Sequence, residues 1–387
     1  MVSWSVVIRQ RCKWRHRTEG ASSCAVCATA SLSHKNKETA SLATMGISKL
    51  AELIRSDAPN AISYKKTGDY SGKVIALDTS IILSQFRSAV PQLGKLSHLT
   101  GLFFRTLHFL EHDIKPVFVF DGTPPAQKKN ELEKRAKTAG YTGSYIKGKD
   151  SPHIQDCKRI LQLLGVPCIQ APGDGEAFCA QLVKEGKVHA VASEDMDTMP
   201  FGSELLIRQF DAKKEGDVME YSLSKLLDIL QLTHKEFVDL CILLGCDYCE
   251  KIQGLGPRRA LKLIQQYKTI EDVVLHVNRK THPIPVSWKY QEARRLFLET
   301  QQSDQPDLIW TEPNEEELVH FLCEEKHINV SRVRGRMQKF HKMLQERRKE
   351  REENSKQARM EDFFRVTRRR QSLMEGQGPS NKKARYQ

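Results

Sequence analysis

The chain has 387 residues, with 61 Lys and Arg against 48 Asp and Glu and a net charge of +13. That length suits one large α/β domain or two smaller ones with a sizeable core, and no apolar run approaches the roughly 20 residues of a membrane span, so a helical membrane protein is excluded and a soluble one expected. Ten cysteines at irregular spacing, with no secretory signal, argue for reduced thiols inside a cell rather than a disulfide scaffold.

Charge is unevenly spread. Residues 1–44 hold 7 Lys/Arg and 2 Asp/Glu, residues 344–387 hold 13 and 7, and the 299 residues between carry only +2. Basic ends of this kind suit a polyanion such as nucleic acid. Residues 1–44 are rich in Arg, Ser and Ala, with no acid before Glu19 and no core pattern. They fit either a mitochondrial transit peptide or an upstream start with no folded role.

A folded pattern begins at "MGISKLAELI", Met45 to Ile54, whose apolar spacing is helical. Short apolar runs that end in acid follow. "KVIALD" places a strand at Val74–Leu77 closed by Asp78, and "KPVFVFDG" one at Val117–Phe120 closed by Asp121. "VPCIQAPGDGEAFCAQLV" reads as a brief strand, a Pro/Gly turn, then Asp174 and Glu176 opening an apolar helix. "VHAVASEDMD" repeats the pattern with Asp195 and Asp197, and Glu194 is expected to face outward. Amphipathic helices are expected between the runs, among them Leu99–Leu110 and Ile154–Leu164. Strands alternating with helices predict an α/β fold with a mostly parallel sheet, whose ligand site lies beyond the carboxyl ends of its strands.

Further on, Glu236 to Ile264 reads as helix, acid-bearing turn, Gly-x-Gly-Pro turn, helix. Residues 268–343 are mixed and mostly helical, and beyond Leu344 the charge density predicts a disordered basic tail. The expected organisation is an extension at 1–44, an N-terminal region at 45–150, an internal region at 151–290, a helical part at 291–343 and a tail at 344–387. Cys24–Cys27 and Cys246–Cys249 are both C-x-x-C pairs, a weak hint of a shared zinc.

Asp78, Asp121, Asp174, Glu176, Asp195, Asp197 and Asp247 all sit at the ends of apolar segments. Any one of them is more simply a helix cap. Four separate segments ending the same way favour one shared edge, where two hard divalent ions could be held and a phosphodiester hydrolysed. "DMDTM" also fits the D-x-D-x-[TV] motif of haloacid-dehalogenase phosphatases, but at least three strands precede it, and Asp78, Asp121 and Asp174 would have no role. "GLGPRR", Gly254 to Arg259, is a turn before a helix N-terminus that can grip a phosphate backbone without reading sequence. Lys128 and Arg135, seven apart after Asp121, would share one face of a helix starting near Gln127 and could steady charge on a scissile phosphate.

In this order, "IALDTS", "FVFDGTPP", "APGDGEA", "SEDMDT", "LCILLGCDY" and "GLGPRRA" resemble the 5′-nuclease (XPG) superfamily. The likeness runs from Met45 to about Lys326 and returns in the tail. It implies a helix-hairpin-helix-type DNA-binding motif and a structure-specific 5′-flap endonuclease and 5′→3′ exonuclease of DNA replication and repair. It also implies two Mg²⁺ ions per chain, replaceable by Mn²⁺, and a K⁺ at the hairpin. The family's metal ligands fall on the seven carboxylates, with Asp174 standing where Glu is usual, and its catalytic pair falls on Lys128 and Arg135. Its DNA contacts fall on Arg105, Asp174, Gly245, Asp247, Gly254, Gly256 and Arg258. "QARMEDFF" resembles the family's box for the sliding clamp PCNA, Q-x-x-[LIM]-x-x-F-F, through Gln357, Met360, Phe363 and Phe364. Arg368–Arg370 and Lys382–Arg385 fit a bipartite nuclear signal. The resulting expectation is a monomeric nuclease in the nucleus, with the extension as a route to the mitochondrion.

Three departures bear on this reading. The family's helical arch has only about 30 residues after Pro125, including the Gly-broken "AGYTGSYIKGKD". A stacking Tyr is replaced by Ser84, and a phosphate-contacting Arg by Pro91. The family also begins at the position of Gly46, so the extension must be removed or it crowds the substrate. The alternative is a catalytically weak paralogue that holds branched DNA and the clamp as a scaffold.

Overall fold

A computed structural model describes residues 46–47, 49–89, 97–138, 151–210, 218–299 and 307–363. Helices α1 (Leu50–Asp57), α2 (Thr79–Ala89), α3 (Ser97–Glu111), α4 (Lys129–Thr138), α5 (Pro152–Leu163) and α6 (Gly175–Lys184) belong to its first half. There follow α7 (Leu223–Leu230), α8 (His234–Leu244), α9 (Pro257–Tyr267), α10 (Ile270–His276), α11 (Tyr290–Leu298), α12 (Glu315–Val319) and α13 (Val330–Phe363). The strands are β1 (Ile62–Lys65), β2 (Val74–Asp78), β3 (Lys115–Phe120), β4 (Cys168–Gln170), β5 (Ala190–Ala192), β6 (Leu205–Arg208) and β7 (Val218–Ser222).

They form one sheet in the order β1-β7-β6-β5-β2-β3-β4. The five strands from β6 to β4 are parallel, while β1 and β7 join antiparallel. The parallel α/β core is as expected; β1, β6 and β7 are additions that the sequence did not announce. Because strands from residues 45–150 and 151–290 interleave in this sheet, those two regions form one body.

Helices cover both faces of the parallel strands, so β2 and β3 read as near-continuous apolar runs rather than alternating ones. Ile75, Ala76, Leu77, Val117, Phe118 and Val119 are all buried. Local signals set the helix starts. Ser151 caps α5 by accepting from Ile154 N, with Pro152 in the first turn. Thr233 and Glu236 make a reciprocal capping box at α8.

The chain runs β2, β3, β4 toward one edge, then returns to place β5 on the other side of β2, with Leu77 beside Ala192. That reversal is the topological switch point, where flanking connections diverge and leave a crevice at the carboxyl ends. Asp78 ends β2, and Asp195 and Asp197 follow β5, so the switch point is lined with acid.

The chain divides into two compact units, residues up to Arg336 and residues from Met337. In the second unit the described residues are a continuous part of α13 ending at Phe363. Residues 344–363, grouped from the sequence with the disordered tail, are therefore helical. Met337–Phe363 contains no Gly or Pro and is rich in Lys, Arg, Glu and Gln, all good helix formers. Lys342 and Glu346 add an i,i+4 pair at 3.9 Å. No helix among the described residues is long and apolar enough to cross a membrane.

Candidate active site

Each of the seven carboxylates is delivered by the start or end of an element. Asp78 closes β2 and accepts from Ser80 N at 3.1 Å and Ser193 Oγ at 3.2 Å. Asp121 follows β3 and accepts from Gly175 N at 2.8 Å and from Ser80 Oγ. Asp174 directly precedes α6, and Glu176 lies in its first turn. Asp195 accepts from Asp197 N at 2.9 Å in a short turn after β5. Asp247 lies in the turn that follows α8.

Two cations lie among them. Lys128 Nζ is 2.7 Å from Glu176 Oε1, 3.3 Å from Asp174 Oδ1 and 3.8 Å from Asp247 Oδ2. Arg135 Nη2 is 2.5 Å from Asp247 Oδ1. The two do not share one helix, as the spacing had suggested. Lys128 ends a tight turn at Ala126–Lys128, and α4 begins one residue later. Both nevertheless reach Asp247, and Lys128 is only 8% exposed.

Burial dominates the electrostatics. It pushes Asp174 up to about 7 and Asp195 up to about 6, with Glu176 adding repulsion in both cases. Asp78 and Asp197 rise well above the usual carboxylate range for the same leading reason. Asp121 and Asp247 also rise, although Lys128 pulls both down. Burial alone would lower Lys128, but Glu176, Asp174 and Asp247 together hold it well above its ordinary value.

As the side chains stand, no three acidic, Cys or His groups among the described residues close into a coordination shell. The cluster still fits hard divalent cations. Its donors are all oxygen. Seven carboxylates face two paired cations, leaving an excess of negative charge in a desolvated site. Asp197 Oδ2 is also buried without a partner.

Groups that no motif revealed complete the site. Tyr248 OH donates to Asp174 Oδ2 at 2.7 Å, and Ser80 and Ser193 steady Asp121 and Asp78. Ile47 N donates to Asp197 Oδ1 at 2.5 Å. Gly46 adopts a left-handed φ of 74°, and a Cβ there would lie 2.0 Å from Asp195 Oδ1 and 2.5 Å from Asp197 Oδ1. Only glycine fits. No spacing rule in the sequence marks these contacts. Glu194 turns away from the cluster to Arg208 and to Gln209 N.

The remaining predicted residues divide between surface and interior. Gly256 opens α9 with open space around it, and Gly254 makes the turn before it with φ 73°. Arg258 is largely exposed, 3.8 Å from Asp57. Gly245 terminates α8 two residues before Asp247. Arg105 faces inward: it is 7% exposed and donates to Gln85 Oε1 and Phe210 O, each at 3.0 Å. Gln357, Met360 and Phe363 fall in α13. Phe364, Pro91, residues 139–150, the basic clusters after Arg365, Cys24, Cys27 and the extension before Gly46 lie outside the described residues.

Comparison with known proteins places the chain in a class. Residues 45–140 match the XPG N-terminal domain and residues 165–247 the XPG I-region, the two parts that build this sheet and acid edge. The chain is 60% identical over 333 residues to a probable flap endonuclease 1 homolog of Danio rerio, covering 85% of this chain and 95% of that one. It is 42% identical to flap endonuclease 1 of the same organism, over 84% of this chain and 91% of the relative. The structure of flap endonuclease-1 from Methanococcus jannaschii superposes with a TM-score of 0.61 at 25% identity, over 74% of this chain and 97% of the other. The chain belongs to the flap endonuclease 1 family of XPG nucleases.

Proposed function

We propose that the protein is a structure-specific 5′-flap endonuclease that hydrolyses one phosphodiester at a branched DNA junction using two Mg²⁺ ions. The observation that carries this reading is the convergence of seven carboxylates, six of them buried and Asp121 exposed at the rim, with Lys128 and Arg135, on the switch point of the sheet. Asp78, Asp121, Asp174, Glu176, Asp195, Asp197 and Asp247 would hold the ions. Bound there, such ions supply a nucleophilic water at neutral pH and stabilise the leaving oxygen.

The protein's own groups do the rest. Lys128 and Arg135 present positive charge beside the carboxylates, where charge develops on the scissile phosphate. The bare N-terminus of α9 and the exposed Arg258 form the backbone grip, which positions duplex without reading sequence. In this reading the hairpin glycines Gly254 and Gly256 would hold a K⁺ ion, and Mn²⁺ would be able to replace Mg²⁺. The same activity would act 5′→3′ on duplex ends. The box at Gln357, Met360, Phe363 and Phe364 would dock to the clamp PCNA, and the basic clusters beyond Arg365 would direct a monomeric enzyme to the nucleus. A mitochondrial role depends on the extension.

The test is an end-labelled double-flap DNA incubated with the full chain in Mg²⁺ or EDTA, beside Asp195→Asn. One product near the junction, seen only in Mg²⁺ and lost in the variant, is expected. DNA that shifts on a gel yet stays whole under every condition refutes the nuclease and leaves a scaffold.

A further inference from the structure

Cys246 and Cys249 flank two residues that belong to the acid site. Both thiols are free and half-buried, with their Sγ atoms 3.9 Å apart. Between them, Asp247 is held by Arg135 at 2.5 Å and faces Lys128 at 3.8 Å, while Tyr248 donates to Asp174 at 2.7 Å. The turn has a natural pivot on its N-terminal side: Gly245 lies at φ 106°, with the Lys251 side chain filling the space of its missing Cβ. On the other side the Trp288 indole N–H donates to Glu250 O at 2.5 Å, fixing the point where the turn ends.

A disulfide requires its sulfurs about 2 Å apart. Closing this gap draws the ends of a four-residue turn together, and the segment that must adjust is the one carrying Asp247 and Tyr248. We propose that Cys246 and Cys249 form an oxidisable dithiol whose closure withdraws Asp247 and Tyr248 from the acid site and switches the enzyme off. This rests on the nuclease reading above for its consequence, though not for its chemistry. The oxidant is a peroxide. One thiolate attacks a peroxide oxygen, the O–O bond breaks and a sulfenic acid forms. The second thiol displaces its hydroxyl as water. In total two thiols lose two hydrogens, one S–S bond forms and hydrogen peroxide becomes two waters. A dithiol reductant reverses the change.

The experiment uses the full-length protein with hydrogen peroxide, then maleimide trapping and mass spectrometry of the peptide spanning 246–249. The expected result is a peptide two hydrogens lighter and unlabelled after peroxide, labelled again after dithiothreitol. Flap cleavage should fall about 10- to 100-fold on oxidation, the loss that accompanies disturbed metal-ligand support, and return on reduction. Cys246→Ser and Cys249→Ser should cut normally and ignore peroxide. A second readout, independent of cleavage, is the rise in melting temperature on adding Mg²⁺, which should shrink in the oxidised form. If the reduced protein never cuts, the nuclease reading fails, and the mass and Mg²⁺ readouts still decide the switch. Labelled thiols at peroxide doses that oxidise a free surface cysteine overturn the proposal. So does a disulfide that leaves both the Mg²⁺ response and cleavage unchanged, or a stoichiometric zinc that blocks oxidation.

Discussion

Lys128→Met tests whether the buried ammonium is what makes the acid cluster tolerable without metal. Methionine roughly keeps the chain length and removes the charge. The ammonium is within 3.8 Å of Asp174, Glu176 and Asp247, all largely shielded from water. Breaking a buried ion pair costs about 3–5 kcal/mol, because the remaining charge is left without a partner. Here part of the cost is relieved by proton uptake, since Asp174 already sits at about 7. The lower figure, about 3 kcal/mol, is therefore expected in EDTA near neutral pH. At about 2–4 °C per kcal/mol for a large domain, the melting temperature should drop by about 6–12 °C. Mg²⁺ should narrow that gap by replacing the missing charge, while the cleavage rate stays about 10²–10³-fold down because the cation facing the phosphate is gone. Thermal melts with and without Mg²⁺, paired with single-turnover cleavage, read all three quantities. A variant that melts within about 2 °C of the parent in EDTA, which is less than 1 kcal/mol, would refute the argument.

Gly46→Ala forces a methyl to within 2.0 Å of Asp195 Oδ1 on a left-handed backbone, so the carboxylate must move. A displacement of about 1 Å can cost 10²-fold, and single-turnover rates should show a loss of that order; unchanged rates would mean Gly46 does not shape the site. Tyr248→Phe removes the donor to Asp174 and should raise the Mg²⁺ needed for half-maximal cleavage by the equivalent of about 1.5–3 kcal/mol. A Mg²⁺ titration that superposes on the parent's would show that Asp174 needs no such support. Without metal, Asp174 and Asp195 have folded-state values near 7 and 6, above their unfolded values. The folded state then binds more protons, so stability in EDTA should be greatest below about pH 4 as far as these groups are concerned, and fall as pH rises from about 4 to 7. Melts in EDTA across that range check the sign, and the trend should flatten in Mg²⁺.

The parallel core was legible because its strands are buried on both faces. Val117–Phe120 and Val74–Leu77 read as unbroken apolar runs, and an Asp at the end of each marked the carboxyl edge. The outer strands were not legible. β1 and β7 are four and five residues long and mix Ser, Tyr, Lys and Glu with apolar residues, so neither a run nor a clean alternation stands out. The acids were found because a charge that ends an apolar run is conspicuous. Their supports were not: Tyr248, Ser80, Ser193 and the Ile47 amide are ordinary residues until the fold brings them from distant parts of the chain. Lys128 shows the limit most clearly. From sequence it shared one face of a helix with Arg135 above the acidic edge, whereas it ends the turn at Ala126–Lys128, before α4 begins, and is buried among the acids. Arg105 makes the opposite point, since a role carried over by likeness meets a guanidinium already engaged with Gln85 and Phe210.

The energetic state of the acid edge also separates the two functional readings. Every carboxylate whose titration is displaced there is displaced upward, chiefly by burial, so in the absence of metal the cluster opposes folding near neutral pH. A protein that only held branched DNA would gain stability from replacing these groups with apolar or amide residues. It would also bind phosphate better with fewer negative charges facing it. The chain instead keeps seven acids and adds Lys128, Arg135, Tyr248, Ser80 and Ser193 to orient them. Asp174 has one oxygen taken by Tyr248 and the other facing Lys128, so its side chain is held at a fixed place rather than left free. An arrangement that is costly to fold and held in detail is accounted for by metal-dependent catalysis, not by binding alone.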